Sequence, residues 1–377
     1  MTSVAIPTDG LAVVADDLRT ITHRLDEEFS QMAGDSVLLV GGGGFLGYYL
    51  IRSVDAWNTE NPDRQISLDV YDNWIRGMPR WLSQFSQSNR VRIETVDITR
   101  PLPSDTPGFD WIIHAASIAS PIFYREHPIE TMDANVNGLR NLLEHARRKQ
   151  DDGSIPKGFL YFSTSEIYGD PSPDAIPTPE DYRGFVSCTG PRACYDESKR
   201  YGETLSVNFA SEYGLPIKIA RPFNNYGPGL RLTDGRVISD FARDVLAGED
   251  IVMHSPGTPT RTFCYIADAV TGFYKVMVGG RDGEPYNIGA DSPEISIADL
   301  ADELVTLARE LLGYRGEVIH APSGDENYLV DNPTRRCPDL NKARSELGYS
   351  PEVSLESGLR RSLLWYRDLG AGEVSAT

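Results

Sequence analysis

The chain has 377 residues, 40% hydrophobic and 24% charged, the composition of a soluble globular protein with one large domain or two smaller ones. Its formal net charge of −19 argues against nucleic acid or an anionic membrane surface as partner. A small anion held by local arginines and backbone amides stays compatible with that charge.

Four cysteines, Cys188, Cys194, Cys264 and Cys337, show neither CxxC pairing nor metal-ligand spacing, so no metal site is expected. No segment approaches the ~18 consecutive apolar residues of a membrane span. The N-terminus lacks a basic region, and Asp16 and Asp17 interrupt its apolar stretch. The expected compartment is the cytoplasm.

Along the chain, residues 11–33 place Leu11, Val14, Leu18, Ile21, Leu25 and Phe29 at steps of three and four, which predicts one amphipathic helix. It forms an N-terminal extension, residues 1–34, that packs on the body or on a partner subunit. From Asp35, short apolar runs alternate with helical patterns: "SVLLV", "ISLDVYD", "VRIETVD", "WIIHAAS", "GFLYFST" and "IKIARP". Such alternation predicts a Rossmann-type α/β fold, a doubly wound parallel sheet covered on both faces, over residues 35–222. Residues 223–377 read as a smaller substrate-binding lobe, some segments of which return to the sheet. Within it "VISDFARDVLAG" is helical, and residues 295–313 form a helix capped by Ser296.

"VLLVGGGGFLGYYL" sets glycines between a strand and a helix. Gly42, Gly44 and Gly47 fit GxGxxG, and Gly41, Gly44 and Gly47 fit GxxGxxG equally well. This pattern serves a tight turn, close approach of backbone to a pyrophosphate, and a helix N-terminus aimed at phosphate. Gly41, Gly44, Phe45, Leu46 and Gly47 are therefore candidate cofactor contacts. Asp72, followed by Asn73, ends the next strand a little beyond the usual ~20 residues. An acid there accepts from ribose hydroxyls and repels a 2′-phosphate, favouring NAD over NADP.

Two further segments carry chemistry. In "STSEIYG" a buried strand ends in Thr164, Ser165 and Glu166, and a carboxylate there is costly to bury without a use. In "RACYDESKRYGETL" Tyr195 and Lys199 stand at i and i+4 on one helix face. A nearby ammonium favours the phenolate and suits Tyr195 to act as a base.

With these segments the chain resembles the extended short-chain dehydrogenase/reductase family, and within it the UDP-glucuronic acid decarboxylases. The resemblance runs from about residue 35 to "LRRSLLWYRD" and rests on "HAASIASP", "STSEIYGDP", "GPRACYDESKR", "DGRVISDF", "TRTFCYIADAV" and "RRCPDLNKARSELGY". It implies bound NAD, Thr164 at the reacting sugar hydroxyl, Tyr195 as base and Lys199 as its partner. It places Asp97 and Ile98 near adenine, and Ala115, Ala116 and Ser117 along the cofactor. Tyr124 falls near the sugar, while Asn224, Arg236 and Arg336 resemble diphosphate and uridine contacts. It also implies a homodimer or higher homo-oligomer packed through the Tyr195 helix.

The activity so implied is oxidation of UDP-glucuronic acid at C4, loss of CO2 from the resulting β-keto acid, and release of UDP-xylose or the 4-keto pentose. Glu166 with Ser165 suits proton handling at C5, and Arg261 suits the carboxylate. A nucleotide-sugar 4,6-dehydratase is the alternative, since it shares the C4 oxidation and also needs an acid at Glu166. The chain departs from the decarboxylase pattern at Arg76, Asp133, Ala134, Gly229 and His254.

Overall fold

The computed structural model describes residues 7–324 and 330–370. Its centre is a seven-stranded parallel sheet made of β1 (Ser36–Val40), β2 (Ser67–Asp72), β3 (Val91–Thr95), β4 (Trp111–His114), β5 (Gly158–Phe162), β6 (Ile217–Pro222) and β7 (Pro285–Ile288). Their order across the sheet is β7-β6-β5-β4-β1-β2-β3. β1 and β5 are buried almost throughout, the pattern of strands covered by helices on both faces. The doubly wound fold expected from the alternating runs is the one observed.

The first six strands coincide with the six apolar runs. The seventh, "PYNI", joins the edge from residues far along the chain, pairing Tyr286 with Ala220 and Ile288 with Pro222. The preceding helix, Ile266–Gly279, is buried along most of its length, with Phe273 edge-on to Phe162 of β5 at 4.7 Å.

The N-terminal segment differs in detail from the expected single helix. It forms α1 (Gly10–Arg24) and α2 (Asp26–Met32), separated at Leu25, whose φ of −110° and ψ of 18° leave the helical region. Leu11 is 69% exposed, and Val13 takes its place in the buried stripe. The segment packs on the body: Asp17 on α1 accepts from Tyr49 (2.5 Å) and Tyr265 (2.6 Å) and pairs with Arg361 (2.8 Å).

Candidate active site

The order of the strands reverses between β1 and β4, and ligands of such sheets bind beyond the carboxyl ends of the strands at that point. Here the segments after β1, β2, β4, β5 and β6 line one cleft of about 720 Å³.

Its floor is the glycine turn. Gly41 has φ +89°, and a Cβ on it would lie 2.4 Å from the Ala116 nitrogen, so only glycine fits between β1 and β4. Gly44 caps the helix Phe45–Glu60 (α3) without any side-chain hydrogen bond, leaving the first N–H groups of α3 open towards the cleft. Gly41, Gly44, Phe45 and Leu46 all line it. Gly47 does not: a Cβ there would sit 2.0 Å from the Gly42 carbonyl oxygen. Its work is to let α3 pack on the turn, which corrects its expected place among the cofactor contacts. The two glycine registers differ only at Gly41, which lines the cleft, and Gly42, where a Cβ would lie 2.3 Å from Val70 Cγ1.

Beside the turn, Asp72 accepts from Gly43 N (2.9 Å) and Trp74 N (2.8 Å), and burial raises its pKa. These bonds fix the carboxylate at the rim while further lone pairs remain for a ribose. Asn73, Asp97, Ile98, Ala115, Ala116 and Ser117 continue the same wall. Ser117 Oγ and, opposite, Tyr124 Oη are buried without a protein partner. Buried polar groups are ordinarily satisfied, so both point to a polar ligand. The glycine turn, open helix end, Asp72 rim and orphan hydroxyls fit NAD.

At the far end, Thr164 stands close enough to Tyr195 to favour its ionisation, and Tyr124 stacks on the Tyr195 ring at 5.2 Å and 11°. Lys199 Nζ lies 5.8 Å from the centre of that ring and donates to the Phe162 carbonyl at 2.8 Å. Burial pushes Tyr195 up to about 12, against the pull of Thr164, and pulls Lys199 down to about 7. Burial dominates both groups, and the pull that lowers Tyr195 comes from Thr164 and Arg236 rather than from the expected ammonium.

Glu166 sits in a cluster of arginines. Arg336 pairs with it through two bonds (2.5 and 2.6 Å), and Arg192 donates to Oε2 as well. Burial alone would raise Glu166; Arg192 and then Arg336 outweigh it and hold the carboxyl at about 2. Asp196, one residue past Tyr195, lies 3.6 Å from Arg192 Nε. Burial and the charge of Glu166 raise it to about 7 despite Arg192. In this arrangement Glu166 is a charged acceptor, and Asp196 is the carboxyl whose proton is held near neutrality.

Arg261 lines the same cleft with only 6% of its surface exposed. Its guanidinium donates to the carbonyls of Thr260 (2.7 Å), Pro333 and Thr334 (3.2 Å), and burial and neighbouring Arg336 lower its pKa to about 9. Asn224, at φ +40°, donates to the Thr262 carbonyl at 2.8 Å. Arg236 lies 3.1 Å from Asp234. Ser165 completes the lining, whereas His254 is exposed and outside it.

Every candidate residue except Gly47 therefore meets in one cleft. The sequence reading missed Arg192 and Asp196, because "GPRACYD" carries no periodicity or spacing that separates a buried arginine and acid from surface charges. The one available signal was their place beside Tyr195, Arg192 at the N-cap of the helix Ala193–Tyr213 and Asp196 in its first turn.

A family model described as "NAD dependent epimerase/dehydratase family" matches residues 37–289. UDP-glucuronic acid decarboxylase 3 of Arabidopsis thaliana is 38% identical over 323 residues, 86% of each chain. UDP-glucuronic acid decarboxylase 1 of Xenopus tropicalis is 34% identical over 331 residues, covering 88% of this chain and 72% of the relative. The dTDP-glucose 4,6-dehydratase DesIV of Streptomyces venezuelae, solved with NAD bound, is similar in structure (TM-score 0.74, 26% identity, 88% of this chain and 97% of that one). So is WbmF of Bordetella bronchiseptica in complex with NAD+ and UDP (TM-score 0.68, 26% identity, 90% and 94%).

Proposed function

Because the chain belongs to the NAD dependent epimerase/dehydratase family, we propose that its cleft performs the reaction named in its similar relatives, decarboxylation of UDP-glucuronic acid. The observation that carries the reading is the single cleft holding the glycine turn, the Thr164–Tyr195–Lys199 group and the arginine cluster around Glu166. A hydride-transfer site alone has no need of three arginines beside the sugar position; a substrate bearing a carboxylate and a diphosphate does.

NAD supplies the hydride acceptor at sugar C4. Tyr195 takes the O4 proton, with Thr164 aligning the hydroxyl and Lys199 turning its charge to the cofactor end of the cleft. The C4 ketone lies β to the C6 carboxylate, so the electrons of the breaking C5–C6 bond pass into the carbonyl as CO2 leaves. Arg192, Arg261 and Arg336 are placed to hold the departing carboxylate or the diphosphate. A substrate anion that takes Arg192 or Arg336 releases Glu166 from its pairs, which raises its proton affinity and frees it to serve C5. Asp196 is the nearest reserve of that proton.

We further place the chain as a homodimer in a reducing compartment such as the cytoplasm. The neighbouring helices Pro128–Asp133 and Ala193–Tyr213 expose Ile129, Met132, Tyr201 and Val207, an apolar surface that suits a second copy. The four cysteines are free thiols, which supports the compartment.

The reading is tested by turnover in deuterium oxide. UDP-glucuronic acid and NAD should give a pentose product carrying deuterium at C5, because the C5 carbanion equivalent takes its proton from exchangeable groups. A product without deuterium at C5, or no product, would sink the scheme.

A further inference from the structure

Two loops flank the glycine turn and are tied to each other. The loop of residues 73–79 reaches the turn through Trp74, whose ring would lie 3.0 Å from a Cβ on Gly43. The loop of residues 227–236 reaches it from the other side: Gly229 is close against Tyr48, and the Arg236 guanidinium stands 5.8 Å from the Phe45 ring.

The ties run in both directions. Arg76, from the first loop, donates to Asp234 of the second at 3.1 Å and lies 4.0 Å over the Phe123 ring. Arg231, from the second loop, donates to the carbonyls of Arg76 (2.7 Å) and Gly77 (3.3 Å) in the first. Asp234 is itself fixed, since Ser120 donates to its carbonyl and Arg236 stands at its carboxylate. Arg76, Arg231 and Asp234 all line the cleft. Hydrogen bonds in which one partner is charged are the stronger kind, and reciprocal ones resist opening more than a single pair.

We propose that Arg76, Arg231 and Asp234 form a two-way clasp over the glycine turn, and that this clasp sets how slowly the bound dinucleotide leaves. The inference deepens the decarboxylation reading and rests on it for one consequence. With the clasp closed, the hydride taken from C4 is still at hand when C5 has been protonated. It returns to C4 while Tyr195 returns the proton to O4, so oxidation and reduction cancel and the pentose leaves reduced. With the clasp loosened, the reduced cofactor escapes first and the 4-keto pentose is left behind.

The test is the dissociation rate of NADH from the full chain, followed by loss of its bound fluorescence on mixing with excess NAD. Arg76→Gln and Arg231→Gln should each speed release, and the double variant should do so by roughly tenfold or more. Arg76→Lys keeps a cation opposite Asp234 and should restore part of the slow release. An unchanged rate in the double variant overturns the clasp. Should the double variant not fold, Arg76→Gln decides alone, its side chain being 25% exposed. If the wild-type chain fails to decarboxylate UDP-glucuronic acid while the variants still release NADH faster, the functional reading falls and the clasp stands.

Discussion

Tyr195 is held away from the state its chemistry requires. Burial raises its hydroxyl to about 12, and Thr164 pulls in the opposite direction. A bound nicotinamide adds the positive charge that the buried Lys199, itself lowered to about 7, supplies only in part. Tyr195→Phe removes the proton acceptor but not the cavity wall. It should cut C4 oxidation by roughly 10²- to 10⁴-fold with NAD affinity preserved, as read by single-turnover NADH absorbance beside an NAD titration. Turnover that persists would contradict the assignment. Glu166 makes a different kind of statement, about stability. Its folded pKa of about 2 lies below the ordinary 4.5, so its contribution is fully present above pH ~4.5 and is lost as the pH falls towards ~2. Asp196, raised to about 7, acts with the opposite sign, its ionisation costing stability as the pH rises towards neutrality. Glu166→Gln leaves Arg336 without its counter-charge and Arg192 with only Asp196, 3.6 Å from its Nε. Urea melts should show a loss of about 3–5 kcal/mol at neutral pH and a flattened acid limb between pH ~4.5 and ~2. An acid limb like the wild type's would mean that the arginines do not hold Glu166 as the structure shows.

Elements carry the next level of constraint, and α1 is the clearest case. Asp17 is buried and shared by Tyr49 of α3, Tyr265 and Arg361, so one carboxylate joins the N-terminal segment to both halves of the fold. Burial raises it to about 6 in spite of Arg361. Asp17→Ala strips three donors of their acceptor and should cost about 3–5 kcal/mol by denaturant unfolding; a loss under ~1 kcal/mol would make α1 a dispensable flap. Packing of this segment on the body or a partner was expected, but the Asp17 anchor was not legible beforehand, because a buried Asp in "VVADDLRT" looks like the polar face of an amphipathic helix. The break at Leu25 was hidden for a related reason. The bonds Leu25 N to Ile21 O (3.0 Å) and Phe29 N to Leu25 O (2.8 Å) persist through it, so the apolar stripe runs on undisturbed. Strand β7 escaped because four residues containing Pro285 and Asn287 carry no alternation. Asn287 is placed by tertiary bonds to the Thr178 and Asp339 carbonyls, which no local pattern records. The glycine turn, by contrast, was readable since its geometry admits so few residues, with Gly41 the position where a Cβ has no room.

For the whole molecule, the cleft was legible wherever a residue type is demanded by local geometry or by a helix spacing, as with Gly44, Asp72, Tyr195 and Lys199. It was opaque where function depends on charges the fold assembles: Arg192 and Arg336 pair with Glu166 and Asp196 pairs with Arg192, and of the three only Arg336 was named from the sequence, by resemblance. The same holds for the outer surface. Tyr201 and Val207 project from the helix that carries Tyr195 inward, and a second copy packed there would steady the catalytic helix. Sedimentation should show a dimer, and Tyr201→Glu with Val207→Glu should shift it to monomer; a wild-type monomer would contradict the interface. The most direct test of the central claim is proton NMR of the purified chain with UDP-glucuronic acid and NAD. Conversion of the hexuronate signals to those of a UDP-pentose, with CO2 released, is the expected result. No change with UDP-glucuronic acid, together with a 6-deoxy-4-keto sugar formed from UDP- or dTDP-glucose, would contradict it and make the chain a dehydratase.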